Sequence, residues 1–310
     1  MPRVSLVMTV RNGEQYLANA LSSLATQSFT DTEIIVVNNG STDATATILE
    51  NFADPRLKVI SVDPNLGNTF ASGISKALAA ATGEFVAVQD SDDFSHENRI
   101  EKQVRLLENN LAVGLVGTGV EWINENDNHL YFQIPPSKNS ELMQHYAWMN
   151  PLAHSSVMFR RSLSNHFGGY NTNFGHACDY RMALDIMYGG SQISALKEPL
   201  VKMRQHSNQE TALAHTALIR SQDHLGLLDY AQDLPFLTKS SRSKGRHQIT
   251  KAKFQIVLNL LRDGEKLAAL KNFGKAAAEA PLYLLLYVIV RTLRGQLGDA
   301  PRPQPKRLNL

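Results

Sequence analysis

The run Phe85-Val-Ala-Val-Gln89 is short and apolar, and it ends in Asp90-Ser91-Asp92-Asp93, three carboxylates within four residues. Carboxylates this close repel one another unless a cation neutralises them, and hard divalent ions take oxygen ligands. Asp90 and Asp92 stand two residues apart at the end of an extended segment, so they point to the same side and can share one ion. The same residues could instead form a solvated turn, with Asp93 capping a helix that begins near Ser95-His96. Two other apolar runs end in side chains suited to a nucleotide. Thr9-Val-Arg11-Asn12 follows the first, and Asn38-Asn39-Gly-Ser-Thr-Asp43 follows the second. Each has a plainer reading, because Asn-Gly-Ser is a good turn and Arg11 can be a surface cation. Brought to one crevice, the three ends would offer an ion for phosphates and amides for a base.

Alignment of these ends requires a sheet, and the surrounding pattern predicts one. Val4–Val10, Ile34–Val37, Leu57–Val62, Phe85–Val88 and Val113–Val116 are short, mostly β-branched runs that read as strands buried on both faces. Between them Tyr16, Leu17, Ala20, Leu21 and Leu24 recur at helical spacing, as do Ile48, Leu49 and Phe52, and Ile100, Val104 and Leu107. Ser41-Thr42-Asp43 offers an N-cap for the second helix. Strand–helix repetition of this kind means an α/β fold with a mainly parallel sheet. Further on, Val120–Ile123 and Leu130–Ile134 read as a β pair around Asn124–Asn128, Ser156–Phe159 as a strand and Tyr180–Tyr188 as a helix. After His206 the chain reads almost entirely as helix, which predicts a domain over 1–206 and a helical extension over 207–310.

Several common chemistries are excluded. No Gly-x4-Gly-Lys-Ser/Thr loop occurs, Gly117-Thr118-Gly119 lacks the third glycine of a dinucleotide fingerprint, and His96-Glu97 lacks a second histidine. One cysteine, Cys178, excludes an internal disulfide and a multi-thiolate zinc site, and fits a reducing, cytoplasmic compartment. The 31 Lys+Arg against 29 Asp+Glu give a net charge of +2, and no nucleic-acid partner is expected.

The motifs resemble those of family 2 glycosyltransferases. Val4-Ser-Leu-Val-Met-Thr-Val-Arg-Asn12 is similar to the family's opening strand, and Ile35-Val-Val-Asn-Asn-Gly-Ser-Thr-Asp43 resembles its VVDDGSTD segment. Asn65-Leu-Gly67 and then Gly83 to Asp93 resemble the NxG…GEYI…LDxDD block. His154 to Arg161, Gly168-Gly-Tyr170, Asp179-Tyr180 and Arg204-Gln-His206 follow in the family's order, so the resemblance covers roughly residues 3–206. It implies a GT-A fold and inverting transfer of a sugar from a nucleotide-diphosphate donor, with a UDP-sugar favoured. Asp90 and Asp92 match the DxD motif that holds Mg2+ or Mn2+, and His206 matches a histidine that contacts the metal or diphosphate in some relatives. Thr9, Arg11, Asn39, Asp43, Asp90 and Ser91 fall at nucleotide-sugar positions. Asp179 matches the catalytic general base, with a helix N-cap ahead of Met182 as its structural alternative. The implied acceptor is a saccharide or lipid-linked glycan in bacterial surface-polysaccharide assembly.

The chain departs from the pattern at three places. The usual aspartate pair is Asn38-Asn39, so a base N–H would be accepted without charge assistance. The arginine often found after the NxG segment is missing, with Lys76 the nearest cation, and the acidic residue before the base is Cys178. Nucleotidyl transfer on a similar sheet and a non-enzymatic scaffold remain alternatives, whereas a haloacid-type phosphotransferase is disfavoured because its Asp-x-Asp belongs to the first strand and is followed by Gly-Thr, unlike Asp90-Ser-Asp-Asp93. Leu282–Val290 is nine apolar residues, too few to cross a bilayer. With five Lys/Arg and one Asp over residues 281–310, this tail predicts peripheral attachment to the inner membrane face, or packing on a second copy in a homodimer.

Overall fold

A computed structural model of the chain describes residues 1–63, 69–207, 209 and 216–279. The strands are β1 (Val4–Val10), β2 (Thr32–Asn38), β3 (Leu57–Ser61), β4 (Phe85–Val88), β5 (Phe94–Ser95), β6 (Val113–Asn124), β7 (His129–Gln133), β8 (Met158–Arg160) and β9 (Gln192–Gln205). The helices are α1 (Leu17–Ala25), α2 (Thr45–Asn51), α3 (Phe70–Ala80), α4 (Arg99–Asn109), α5 (Asn139–His145), α6 (Arg161–His166), α7 (Cys178–Tyr188), α8 (Ala217–Gln232), α9 (Lys239–Arg262) and α10 (Lys266–Glu279). The strands form one sheet in the order β3-β2-β1-β4-β8-β6-β9-β5, with β7 paired to β6. The β3-β2-β1-β4 half is parallel, as expected. Its far side is mixed, because β8 runs antiparallel to both β4 and β6.

Strand alternation separates two apolar layers. Leu6, Met8 and Val10 of β1 lie on the face covered by Leu17, Leu21 and Leu24 of α1 and Ile100, Val104 and Leu107 of α4. Val7, with Ile35, Val37, Val86 and Val88, lies in the opposite layer with Ile74 of α3, Met182 and Ile186 of α7 and Leu227 of α8. Both faces of β1 and β2 are therefore buried, which explains why their sequences are continuous apolar runs rather than alternating ones.

Two local expectations change. Val113–Val116 and Val120–Ile123 are one strand, β6, rather than two. A Cβ at Gly119 would stand 2.7 Å from the Lys197 carbonyl oxygen, so the missing side chain lets β6 continue beside β9 through a register shift. Helix α2 starts at Thr45 with Ala44, not one of Ser41-Thr42-Asp43, at its N-cap, although Asp43 Oδ1 still accepts the Thr45 N–H at 3.0 Å.

The chain divides into two compact units, Met1–Gln248 and Ile249–Leu310. Helix α8, read from sequence as part of the C-terminal extension, contributes Leu227, Ala231 and the following Leu234 to the core of the first unit. In the second unit the end of α9 buries Ile256, Val257 and Leu260. Asn65-Leu-Gly67, Leu282–Val290 and the basic tail lie outside the described residues. Among the described residues no helix is long and apolar enough to cross a membrane.

Candidate active site

The carboxyl ends of β1, β2 and β4 meet on one side of the sheet. At the end of β2, Asn39 is buried, and its backbone N–H bonds to the Val10 carbonyl at 2.8 Å. Its side-chain Nδ2 donates to the Thr69 carbonyl at 2.9 Å, which leaves Oδ1 buried with no donor among the described residues. The Thr9 hydroxyl beside it is unpartnered in the same sense. Gly73 of α3 permits this close approach, since a Cβ there would come within 2.2 Å of Thr9 Oγ1 and 3.0 Å of Asn39 Nδ2. An acceptor buried without a donor is costly, which sets Asn39 Oδ1 apart from the satisfied groups around it.

Both carboxylate oxygens of Asp43 are engaged by neighbouring groups. Its Oδ1 takes the Thr45 N–H and hydroxyl, and its Oδ2 takes the Glu14 N–H at 3.0 Å. Glu14 reciprocates by accepting the Ala44 N–H, and Asn12, at φ +53°, accepts the Thr42 N–H. These bonds latch the loops after β1 and β2 together. Burial would raise the Asp43 carboxyl, but the bonds from Thr45 and Glu14 outweigh it and hold it below the usual value. Arg11 is exposed on the first of these loops, and Ser91 Oγ lies near Gly13 of the same loop.

The acidic strand end is anchored from below by buried groups. Asp90 donates its backbone N–H to Ser155 Oγ at 2.8 Å. Asp93 is 2 % exposed and accepts the Arg204 N–H, so it neither caps a helix nor lies in solvent. Burial pushes its carboxyl well above the ordinary range, and Asp92 and Asp90 push it further. Arg99, fully buried, spends its guanidinium on the Val88 and Val157 carbonyls, Ser95 and Gln103. Burial lowers it to about 9, against the opposing pull of Asp93 and Asp90. Arg204 lies over the rings of Tyr16 and Phe94, 4.3 and 5.0 Å from their centroids, and its Nε bonds the Asp92 carbonyl.

Above this base, Asp92 Oδ2 meets His206 Nε2 at 3.0 Å. Asp90 therefore stands two residues from a carboxylate–imidazole pair. No cluster of three ligating residues converges among the described residues. The carboxylate oxygens of Asp90 and Asp92 are of the donor type that hard divalent ions take.

Asp179 occupies the first turn of α7 without capping it, and its Oδ2 accepts from Asn150 Nδ2 at 2.8 Å. It lines a small pocket together with Tyr146, Asn150, Leu152 and His154. His154, to which the sequence pattern assigns no role, lines this pocket and also approaches Asp90. Its Nδ1 stands 3.6 Å from Asp90 Oδ1, and its Nε2 is 2.9 Å from the Tyr170 hydroxyl. Burial would lower the imidazole, but the Asp90 and Asp179 carboxylates outweigh it and raise it. Cys178 is buried beside Asp179, its thiol pushed far up first by burial and then by Asp179, so it is inert.

Residues 5–167 match the family described as Glycosyl transferase family 2. An uncharacterized glycosyltransferase of Haemophilus influenzae is 30% identical over 223 residues, 68% of each chain. The O-antigen biosynthesis glycosyltransferase WbnJ of Escherichia coli is 29% identical over 224 residues, 68% of this chain and 84% of that one. Among solved structures, S. aureus TarS 1-349 in complex with UDP-GlcNAc superposes with a TM-score of 0.67 at 18% identity, covering 90% of this chain and 80% of that one. The mannosyltransferase PcManGT from Pyrobaculum calidifontis, in complex with GDP-Man and Mn2+, gives 0.59 at 20% identity over 94% and 80%. The fold is thus the GT-A fold of these glycosyltransferases. With the family matched across more than half its length, this chain belongs to glycosyltransferase family 2.

Proposed function

We propose that the chain is an inverting, metal-dependent transferase that moves a sugar from a UDP-sugar to a saccharide or lipid-linked acceptor in surface-polysaccharide assembly. The observation that carries this reading is that His154, 3.6 Å from Asp90 Oδ1, lines the same pocket as Asp179. The O-antigen role of the Escherichia coli relative and the nucleotide sugars bound by the two solved structures support it. Asn39 Oδ1 suits the uracil N3–H, with the Thr9 hydroxyl beside it. Asp90, Asp92 and His206 are the residues that would hold Mg2+ or Mn2+, which when bound neutralises the charge of the departing diphosphate.

Asp179 accepts the proton of the acceptor hydroxyl while that oxygen bonds to the anomeric carbon. The bond from that carbon to the diphosphate oxygen breaks, and the electron pair leaves with the diphosphate. Attack and departure on opposite faces invert the configuration. Asn150 holds Asp179 Oδ2, which orients the carboxylate toward the pocket. The test is Asp179→Asn, assayed for transfer and for the melting shift caused by UDP with Mn2+. A ligand at 100 times its dissociation constant adds about 2.7 kcal/mol of stability. Turnover should vanish while that shift persists; loss of both together would make Asp179 structural.

A further inference from the structure

Asp223 is a buried carboxylate that none of the chemistry above employs. It lies on α8, beyond the matched residues 5–167, and is 9 % exposed. Its Oδ2 accepts the backbone N–H of His176 at 3.0 Å, three residues before Asp179 and two before the start of α7. Carboxylates are rarely buried without a specific bond, so a charge committed to one backbone amide holds that amide in place.

The neighbouring positions act on the same segment. Asp223, Gly226, Leu227 and Tyr230 are spaced i, i+3, i+4 and i+7, one face of the helix. Gly226 lets the loop approach closely, since a Cβ there would stand 3.3 Å from the Phe174 ring. Leu227 is fully buried in the layer that includes Met182 and Ile186 of α7. Tyr230 lies 4.0 Å under the Arg181 guanidinium and donates its hydroxyl to Asp185 at 3.0 Å. His224 sits against the Tyr180 ring at 6.3 Å. Thus one face of α8 grips the loop that enters α7 and the first two turns of α7 itself, on both sides of Asp179.

We infer that α8 positions the base, with Asp223 as the residue that fixes where the Asp179 turn begins. This rests on the reading of Asp179 as the base. A carboxylate displaced by about 1 Å from its acceptor hydroxyl loses on the order of 100-fold in rate. Donor binding is made at the ends of β1, β2 and β4, which Asp223 does not touch, so only the chemical step should suffer.

The experiment compares Asp223→Ala, Asp223→Asn and Asp179→Asn in the full chain, measuring kcat, the KM for the donor and the UDP–Mn2+ melting shift. Asp223→Ala should lower kcat at least tenfold with the donor KM and the shift unchanged. Asp223→Asn keeps an oxygen acceptor for the His176 N–H and should recover most of that loss, which a general loss of stability would not do. Should Asp223→Ala fail to fold, Asp223→Glu decides, because one added methylene moves the acceptor while keeping the charge; kcat should again fall alone. Wild-type kcat in Asp223→Ala or Asp223→Glu overturns the proposal, as does a parallel loss of donor binding. If Asp179→Asn retains turnover, the base assignment has failed instead, and the two failures are told apart.

Discussion

Glu33 of β2 is the clearest place to test what holds the sheet together. It is 3 % exposed and lies at the opposite end of the strands from Asn39. Its Oε1 accepts the Ser5 hydroxyl at 2.6 Å and the Thr82 N–H and hydroxyl at 2.8 and 2.7 Å, while Oε2 meets Lys58 Nζ at 2.6 Å. One carboxylate thus ties β1, β3 and the turn before β4 to β2. Burial alone would raise this carboxyl, but the bonds from Lys58, Ser5 and Thr82 outweigh it and hold it at about 2, against an ordinary 4.5. At about 1.4 kcal/mol per unit, that difference corresponds to about 3 kcal/mol of stability at neutral pH. Lys58 is 58% exposed, so solvent screens its share, and Glu33→Gln should cost about 2 kcal/mol. The folded value lies below the unfolded one, so the stabilisation is complete above about pH 4.5 and disappears as pH falls through about 2. Urea unfolding of both proteins between about pH 7 and pH 3 should show the gap narrowing toward acid. A gap below about 0.5 kcal/mol at neutral pH, or one that does not change with pH, would refute the reasoning. The affinity for UDP should be the same in both.

Asn39→Ala should weaken UDP binding by about 2- to 10-fold, the value of one hydrogen bond, whereas Asn39→Asp should tighten it; calorimetric titration decides, and no change in either means the base binds elsewhere. Gly73→Ala should lower both the melting temperature and UDP affinity, because its Cβ would collide with Thr9 Oγ1; normal values for both would mean that α3 shifts freely. Asp43→Ala should cost about 1–2 kcal/mol by freeing the Thr45 and Glu14 amides, with wild-type stability eroding as acid protonates the same carboxylate. If Asp43→Ala lowered donor affinity without lowering stability, its latch role would be wrong.

The apolar runs of β1 and β4 were legible to the residue, because strands buried on both faces leave few other readings. The Asp90–Asp92 pair was legible as an acidic motif, but β4 ends at Val88 and Ser91-Asp92 form a turn, so strand alternation does not set where the two carboxylates point. Gly117-Thr-Gly119 was misleading, because only the partner carbonyls of β9 explain why glycine there extends a strand instead of ending it. Asp43 and Asp93 share the acidity of ligands, yet one latches two loops and the other lies under the site. No local signal separates such carboxylates, as their partners are residues far along the chain.

The sequence by itself determined the alternation of strands and helices, the acidic strand end and the order of motifs, all of which depend on neighbours within a few residues. The tertiary structure decided that His154 approaches Asp90 and lines the Asp179 pocket, that Asn39 Oδ1 is buried without a donor among the described residues, and that α8 grips the helix carrying Asp179. Each of these is a contact across tens of residues, and burial sets its strength, a quantity that exists only once the layers have closed.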